Sequence, residues 1–278
     1  MRRAEKVNGL LAGYCIEEVQ ERNTLPHGSW LMELKRELTE FIRDAGKRAD
    51  TDGFFREALV GFSSADDPLY DELRVLVGPH HAHPKDILPE AVTVVSFFLP
   101  HARHVVASNR KGTETSLEWA RAYIAGNGTI NAASDAAIEF LRERGIAATA
   151  VPATHTFDQK TLQAGWSHRS AACIAGLGRF GVNRMLITRK GSAGRYGTIF
   201  LSEPLPADPP FTEEPCPYVK NSACGICFRS CPVRALTEQG FDRHACYARL
   251  LENVKRFEQY GYCDACGKCA VGPCAYKE

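Results

Sequence analysis

The sequence predicts an α+β fold, an α/β body in which helices and buried strands alternate, followed by a short cysteine-dense module. Three observations predict it. Ser29 to Ala45 carries apolar residues at Trp30, Leu31, Leu34, Leu38, Phe41 and Ile42, the spacing of an amphipathic helix. AVTVVSFFL, residues 91–99, is an apolar run of strand length whose Val92, Val94, Val95, Phe97 and Phe98 suit a central strand buried on both faces. Nine of the 11 cysteines fall after Pro215.

The remaining elements follow in order. Pro79, His80, His81, His83 and Pro84 mark a loop, read as solvated rather than as a histidine metal site. Residues 129–144 form a second helix ended by Gly145 and lead into the strand-like IAATAVPA. The helix-like HRSAACIA precedes AGLGRFGVN, residues 175–183, where Gly176, Gly178 and Gly181 have GxGxxG spacing. A dinucleotide fingerprint follows a strand and opens a helix; here the order is reversed, which argues against a Rossmann site. The glycines still let the backbone approach something closely, or simply make a tight turn. NRMLIT, residues 183–188, and YGTIFLS, residues 196–202, read as two strands joined by KGSAGR as a hairpin. LPADPPFTEEP, residues 205–215, reads as a linker, dividing the chain into a body, 1–204, and a cysteine module, 205–278.

A cubane cluster needs four thiolates around a compact core, and cysteines two residues apart on a tight loop deliver two of them. In the bacterial ferredoxin run, three cysteines spaced by two residues hold one cluster and a fourth, followed by proline, reaches the other. CGICFRSCP, residues 224–232, is that run without its first member. Asn221 occupies the missing slot, so Cys216 is expected to supply the thiolate. YCDACGKCAVGPC offers Cys263, Cys266, Cys269 and Cys274, and Cys246 sits in the helix-like DRHACYARLLENV. The cross-over pattern assigns Cys216, Cys224, Cys227 and Cys274 to one 4Fe-4S cluster and Cys231, Cys246, Cys266 and Cys269 to the other. Cys263 is left over, although an exchange with Cys266 or Cys269 stays open. Zinc or disulfides would also use paired cysteines, but neither explains the spacing that ends in Cys-Pro. Cys15 and Cys173 read as ordinary buried thiols.

A chain of 278 residues with 44% hydrophobic content can bury a substantial core. Its net charge of +1 gives no global argument for nucleic acid or anionic membrane. Arg2 and Arg3 are followed by charged residues rather than an apolar core, which argues against export. The apolar run at 91–99 is far short of the ~20 residues that span a bilayer. A cytoplasmic location is expected, where a reducing environment preserves free thiolates.

Upstream of the glycine loop stand His155, Asp158, Trp166, Ser167, His168 and Arg169. Asp158 is a candidate proton donor, and His168 and Arg169 candidates to hold an anionic group, each weighed against an ordinary structural role.

The order of these parts resembles the epoxyqueuosine reductase family and, more distantly, is similar to corrinoid-dependent reductive dehalogenases. The likeness is carried by ILPEA (Ile87 to Ala91) before the buried strand, then AGLGRFGVN, the KGS loop, and two cysteine runs with Cys246 between them. It implies a nitroreductase-like body that binds cobalamin, followed by a ferredoxin-like module with two 4Fe-4S clusters that relay electrons to cobalt. By motif, Arg169, Gly176, Gly178, Gly181 and Asn183 become cobalamin-pocket candidates, and Asp158 or His168 the proton source. It further implies an external low-potential donor such as ferredoxin or flavodoxin. Two departures bear on the substrate. Val182 stands where the family has a lysine, and Asp158 lies upstream of the family's Asp-x-x-Pro segment. The tRNA-binding helical extension of the longer enzymes has no counterpart after Cys274, so an unidentified small molecule is expected rather than tRNA. The competing expectation is a cobalamin-free, ferredoxin-like electron carrier or redox-partner module, with a flavin reductase ranked below it.

Overall fold

A computed structural model of the chain describes residues 28–153 and 157–278; Arg2, Arg3, Cys15 and His155 lie outside them. The body is built from α1 (Gly28–Ala49), β1 (Leu59–Ser64), α2 (Leu69–Leu76), α3 (Pro84–Ile87), β2 (Thr93–Pro100), α4 (Arg103–Ser108), α5 (Leu117–Arg142), β3 (Ala148–Ala150), β4 (Phe157–Asp158), β5 (Gln163–Ala164), α6 (His168–Ile174), β6 (Gly178–Phe180), β7 (Leu186–Thr188) and β8 (Gly194–Leu201). The cysteine module adds α7 (Pro217–Asn221), α8 (Ile226–Arg229) and α9 (Arg243–Arg256), with single 3-10 turns at Glu258–Tyr260 and Lys268–Ala270.

The main sheet runs β1-β2-β8-β3, and every named pair in it is antiparallel. β2, the apolar run, is central and buried at each position. Its alternating side chains face two helical layers. Val95, Phe97 and Leu99, with Ile199 and Leu201 of β8, meet α1 and α5 through Leu34, Leu38, Ile42, Ile130, Ala137 and Leu141. Val94 and Phe200 face Tyr70, Trp166 and Ile174, and Phe98 faces Ala172 and Leu177. Each such side chain contributes about 1.5–3 kcal/mol on burial. Phe97 has room because Gly197 lies directly opposite it, where a Cβ would strike the ring.

Three features depart from the sequence reading. α5 begins twelve residues before 129, at a Ser116 cap whose Oγ accepts the Trp119 N–H, and it carries Gly126 and Gly128 through its interior. Packing against α1 and β8 overrides their poor helix propensity. Trp30, on the apolar stripe of α1, is 49% exposed. NRMLIT and YGTIFLS do not form a hairpin with each other: β7 pairs with β6, and β8 pairs with β2 and β3. The KGSAGR loop between them instead receives the end of the chain. Ser192 N donates to Cys274 O at 2.9 Å, and Ala193 N to Ala275 O at 3.0 Å.

The proline-rich segment 205–215 lies along the outer side of β1. Asp208 N donates to Phe62 O at 2.8 Å, Phe62 N donates to Asp208 Oδ2 at 2.9 Å, and Lys35 Nζ reaches Asp208 Oδ1 at 2.6 Å. No helix among the described residues is long and apolar enough to cross a membrane.

Candidate iron–sulfur centre

Cys216, Cys224, Cys227 and Cys274 line one pocket, with Val182, Asn183 and Cys269 on its inner wall. These four come from three separate stretches: Cys216 caps α7, Cys224 and Cys227 flank the start of α8, and Cys274 is held by the KGSAGR loop. Burial raises the Cys227 thiol to about 11, and Cys274, Cys216 and Cys224 around it push the same way. Cys274 is raised too, by burial first and then by Cys216 and Cys224, against a hydrogen bond from Ser192.

The other four form a second group. Cys246, on α9, is raised to about 11 by burial and then by Cys266, Cys231 and Asp242. Cys269 is raised to about 12 by burial, then by Cys266, Cys246, Cys231 and Cys227. Cys269 therefore belongs to the second group while touching the first. Buried thiols this close resist ionising together, because each charge is desolvated and repelled by its neighbours. A cationic iron cluster supplies what they lack, and its binding would displace their protons.

Among the described residues no three His, Cys, Asp or Glu side chains close on a single-ion site. A cubane takes one thiolate at each of four separate iron corners, so thiols that hold one ring a pocket instead of meeting at a point. The soft donor set and its grouping fit two such clusters. Cys263 sits in an apolar surround. It is fully buried against Ala120, Tyr123 and Phe257, and burial raises its thiol to about 11, with Cys266 near enough to add to the rise.

The glycine loop divides. Gly176, at φ +72°, faces Pro209 O of the segment lying along β1, and Gly178 faces Ile187 O of β7; at either, a Cβ would strike this chain's own backbone. Both glycines are required by internal close approaches. Gly181 turns to the cysteines, since a Cβ there would stand 2.9 Å from Asn183 Oδ1 and 3.5 Å from Cys216 Sγ. Asn183 Nδ2 donates to Cys269 O at 3.1 Å and lies 4.0 Å from Cys274 Sγ. Arg169 donates to Arg184 O at 2.9 Å. Protein atoms crowd its guanidinium although part of the side chain reaches solvent; burial lowers its pKa, opposed by Tyr196 and Cys269.

The two expected proton donors differ. Asp158 is exposed and turns the β4–β5 hairpin, its Oδ1 accepting from Lys160 N at 2.9 Å and from Thr161 N and Oγ1. The Thr161 backbone bond first, then its hydroxyl, hold the carboxyl below its usual range, so it stands ionised. His168 Nδ1 lies 2.8 Å from Thr198 Oγ1, and burial lowers the imidazole to about 4, with Arg195 and Arg169 adding to the shift. It is neutral at pH 7. The hairpin reaches the cysteine module: Phe157 packs edge-on against Tyr247 at 5.6 Å, and Arg243 donates to Thr161 O at 3.2 Å.

The histidine loop is not wholly solvated as expected, since His81 is buried. His81 Nε2 accepts the Ser167 N–H at 3.0 Å, and His83 caps α3. Residues without a sequence signal complete the surroundings. Arg195 lies over the Tyr123 ring at 4.3 Å and donates to Asn127; its buried Nε has no partner among the described residues. Tyr123 donates to Asp264 at 2.5 Å.

No family model matches the chain, and no curated protein does. Its structural neighbours are epoxyqueuosine reductases, with reductive dehalogenases beyond them. A selenomethionine-labelled epoxyqueuosine reductase superposes with a TM-score of 0.59 at 21% identity, covering 88% of this chain and 66% of that one. The epoxyqueuosine reductase from Streptococcus thermophilus gives 0.54 at 16% identity over 88% and 66% of the two chains. A catabolic reductive dehalogenase gives 0.54 at 15% identity, over 85% of this chain and 31% of that one. The class is thus a mixed helix-and-sheet fold shared with both kinds of reductase. Within it, the particular resemblance read from the motifs, to epoxyqueuosine reductase, is the one its structural neighbours carry, and this chain spans 66% of the length of those reductases.

Proposed function

We propose that this chain is an iron–sulfur reductase of epoxyqueuosine-reductase type, in which two 4Fe-4S clusters in a ferredoxin-like module pass single electrons to cobalamin on a nitroreductase-like body. The observation that carries it is the grouping of eight cysteines into two sets, one around the Cys216 pocket and one around Cys246, meeting where Cys269 lies beside Cys227. Adjacent ligands of two clusters give a short path for electron transfer.

The second set borders Arg169, which neighbours Cys269, while His168 and Arg169 both feel Arg195. That face, with the unpartnered Arg195 Nε, is where this chain would hold cobalamin through its polar side groups. Bound there, cobalamin supplies a low-potential metal centre for reducing a substrate. Gly181 and Asn183 belong to the cluster side of the boundary, and Gly176 and Gly178 support the loop from within. At pH 7 neither candidate holds an acidic proton, since Asp158 is kept as a carboxylate and His168 as a neutral imidazole, so the proton would come from solvent, with the neutral His168 ring able to orient the donor. The donor would be a small acidic carrier such as ferredoxin or flavodoxin, the substrate a small molecule, and the location the cytoplasm.

The test is anaerobic reconstitution followed by titration with cob(II)alamin under EPR. The reading expects two cubanes' worth of iron and sulfide per chain and a change in the cobalt signal on binding. An unchanged cobalt signal with both clusters present would leave the electron carrier as the function.

A further inference from the structure

Lys268 sits inside the CGKC run between two ligand candidates, yet it is 2% exposed. Its Nζ donates to Asn109 O and Lys111 O, both at 2.8 Å, and both belong to the body. No carboxylate lies within ion-pair distance of it among the described residues, and Glu114 on the same body loop is taken by Arg249 and Arg256. An isolated buried ammonium is costly, and two carbonyl dipoles do not neutralise it.

The same body loop grips the cysteine run at further points. Asn109, itself fully buried, donates from Nδ2 to Cys266 O at 2.9 Å, Thr115 Oγ1 donates to that oxygen at 3.3 Å, and Arg110 Nε donates to Val271 O at 3.2 Å. Asn253 of α9 closes the arrangement, donating to Thr115 Oγ1 at 2.9 Å and to Ala265 O at 2.7 Å. The loop therefore fixes Lys268 against the Cys266–Cys269 segment with its charge unmatched by any protein anion at contact.

We infer that Lys268 is the built-in counter-charge of the Cys231, Cys246, Cys266 and Cys269 cluster, and that it sets this cluster's potential apart from the other's. The inference rests on the cluster reading above. Four thiolates around an oxidised cubane core leave a net negative charge, and accepting one electron makes it more negative by one. A cation held nearby favours that reduced form. The cluster next to Arg169 is thereby made the better electron acceptor of the pair, so electrons arriving at the Cys216 cluster run inward.

The test measures both cluster potentials by EPR-monitored redox titration of the reconstituted full chain. Lys268→Gln keeps amide N–H groups for the two carbonyls and drops the charge; Lys268→Arg keeps the charge. The expected result is that Lys268→Gln disfavours reduction of one cluster at least tenfold, a shift of 59 mV for one electron, while the other cluster does not move and Lys268→Arg stays near wild type. Equal potentials in all three proteins, or loss of the cluster in both variants, overturns it. Wild-type protein that assembles fewer than two clusters refutes the underlying cluster reading instead.

Discussion

Gly267→Ala tests how firmly the second cysteine run is pinned to the body. Gly267 has φ +72° and ψ −2°, a left-handed conformation that costs an L side chain about 1–2 kcal/mol. A Cβ there would also collide with the indole of Trp119, which is 6% exposed and packed among Ala270, Val271 and Ala275. Forcing a methyl into a filled core adds about 1–3 kcal/mol. The total is about 2–5 kcal/mol. Gly53→Ala is the control. Its φ is +68°, but nothing lies within 4 Å of the added carbon, so only the backbone cost applies. Urea unfolding of the cluster-loaded protein under anaerobic conditions, followed by tryptophan fluorescence and by iron release, gives both quantities. Gly267→Ala is expected to unfold at lower urea than Gly53→Ala and to release iron faster, since Cys266 and Cys269 flank the strained residue. Equal midpoints for the two variants would refute the docking of this run on Trp119.

Cys216→Ser is expected to halve the bound iron, whereas Cys263→Ser, buried in an apolar pocket, keeps both clusters; iron and sulfide analysis after reconstitution decides between the two. Gly128→Ala should stabilise the body by about 0.5–1 kcal/mol, because Gly128 lies inside α5 with open space around it and a negative φ; thermal unfolding checks this. His101 is fully enclosed, and burial, with Arg195 adding, lowers its pKa from 6.5 to about 3. The unfolded chain binds a proton that the folded one refuses, so stability is full above pH 6.5 and falls as the pH drops below it, by about 1.4 kcal/mol per unit down to about 3. His101→Gln should reduce the fall of the urea midpoint between pH 6.5 and 5, leaving the share that His168 contributes in the same direction, and an unchanged slope would show that His101 is not among the groups responsible.

What could be read from the sequence was what a local pattern encodes. β2 was legible because an eight-residue strand covered on both faces has to be apolar throughout, and α9 because its Asp242 cap and charge pattern are local. The cysteine spacing reads as a cluster pattern because cluster geometry dictates ligand spacing, and the structure brings Cys216, Cys224, Cys227 and Cys274 to one pocket that Cys269 also lines. The start of α5 was not, since Gly126 and Gly128 hide a helix whose stability comes from tertiary packing. Nor was the partner of β7, because nothing in NRMLIT states which backbone edge it will meet. The glycines of AGLGRFGVN showed that something approaches closely, but spacing could not separate a cofactor from Pro209 and Ile187 of the same chain. Lys268 was visible inside CGKC, but its burial depends on Asn109 and Lys111, far away in sequence.

The same long-range contacts bear on how the body and the cysteine module work together. The module returns its last residues to the KGSAGR loop, where Lys277 N donates to Lys190 O at 3.2 Å and Arg56 NH1 to Lys277 O at 2.8 Å. Trp119 and Val105 of the body share one core with Ala270, Val271 and Ala275. Reading 205–215 as a linker suggests two units joined by a flexible strap, yet Asp208 is tied to β1 and Gly176 packs on Pro209. Electron transfer is steep in distance, so a relay gains from ligands whose positions do not fluctuate. Asn109, Thr115, Trp119 and Asn183 hold the Cys266–Cys269 run at a fixed place on the body. The body and the cysteine run therefore behave as parts of one packed structure, and a substitution at Trp119, distant from the cysteines in sequence, is expected to lower the iron retained after reconstitution through that packing.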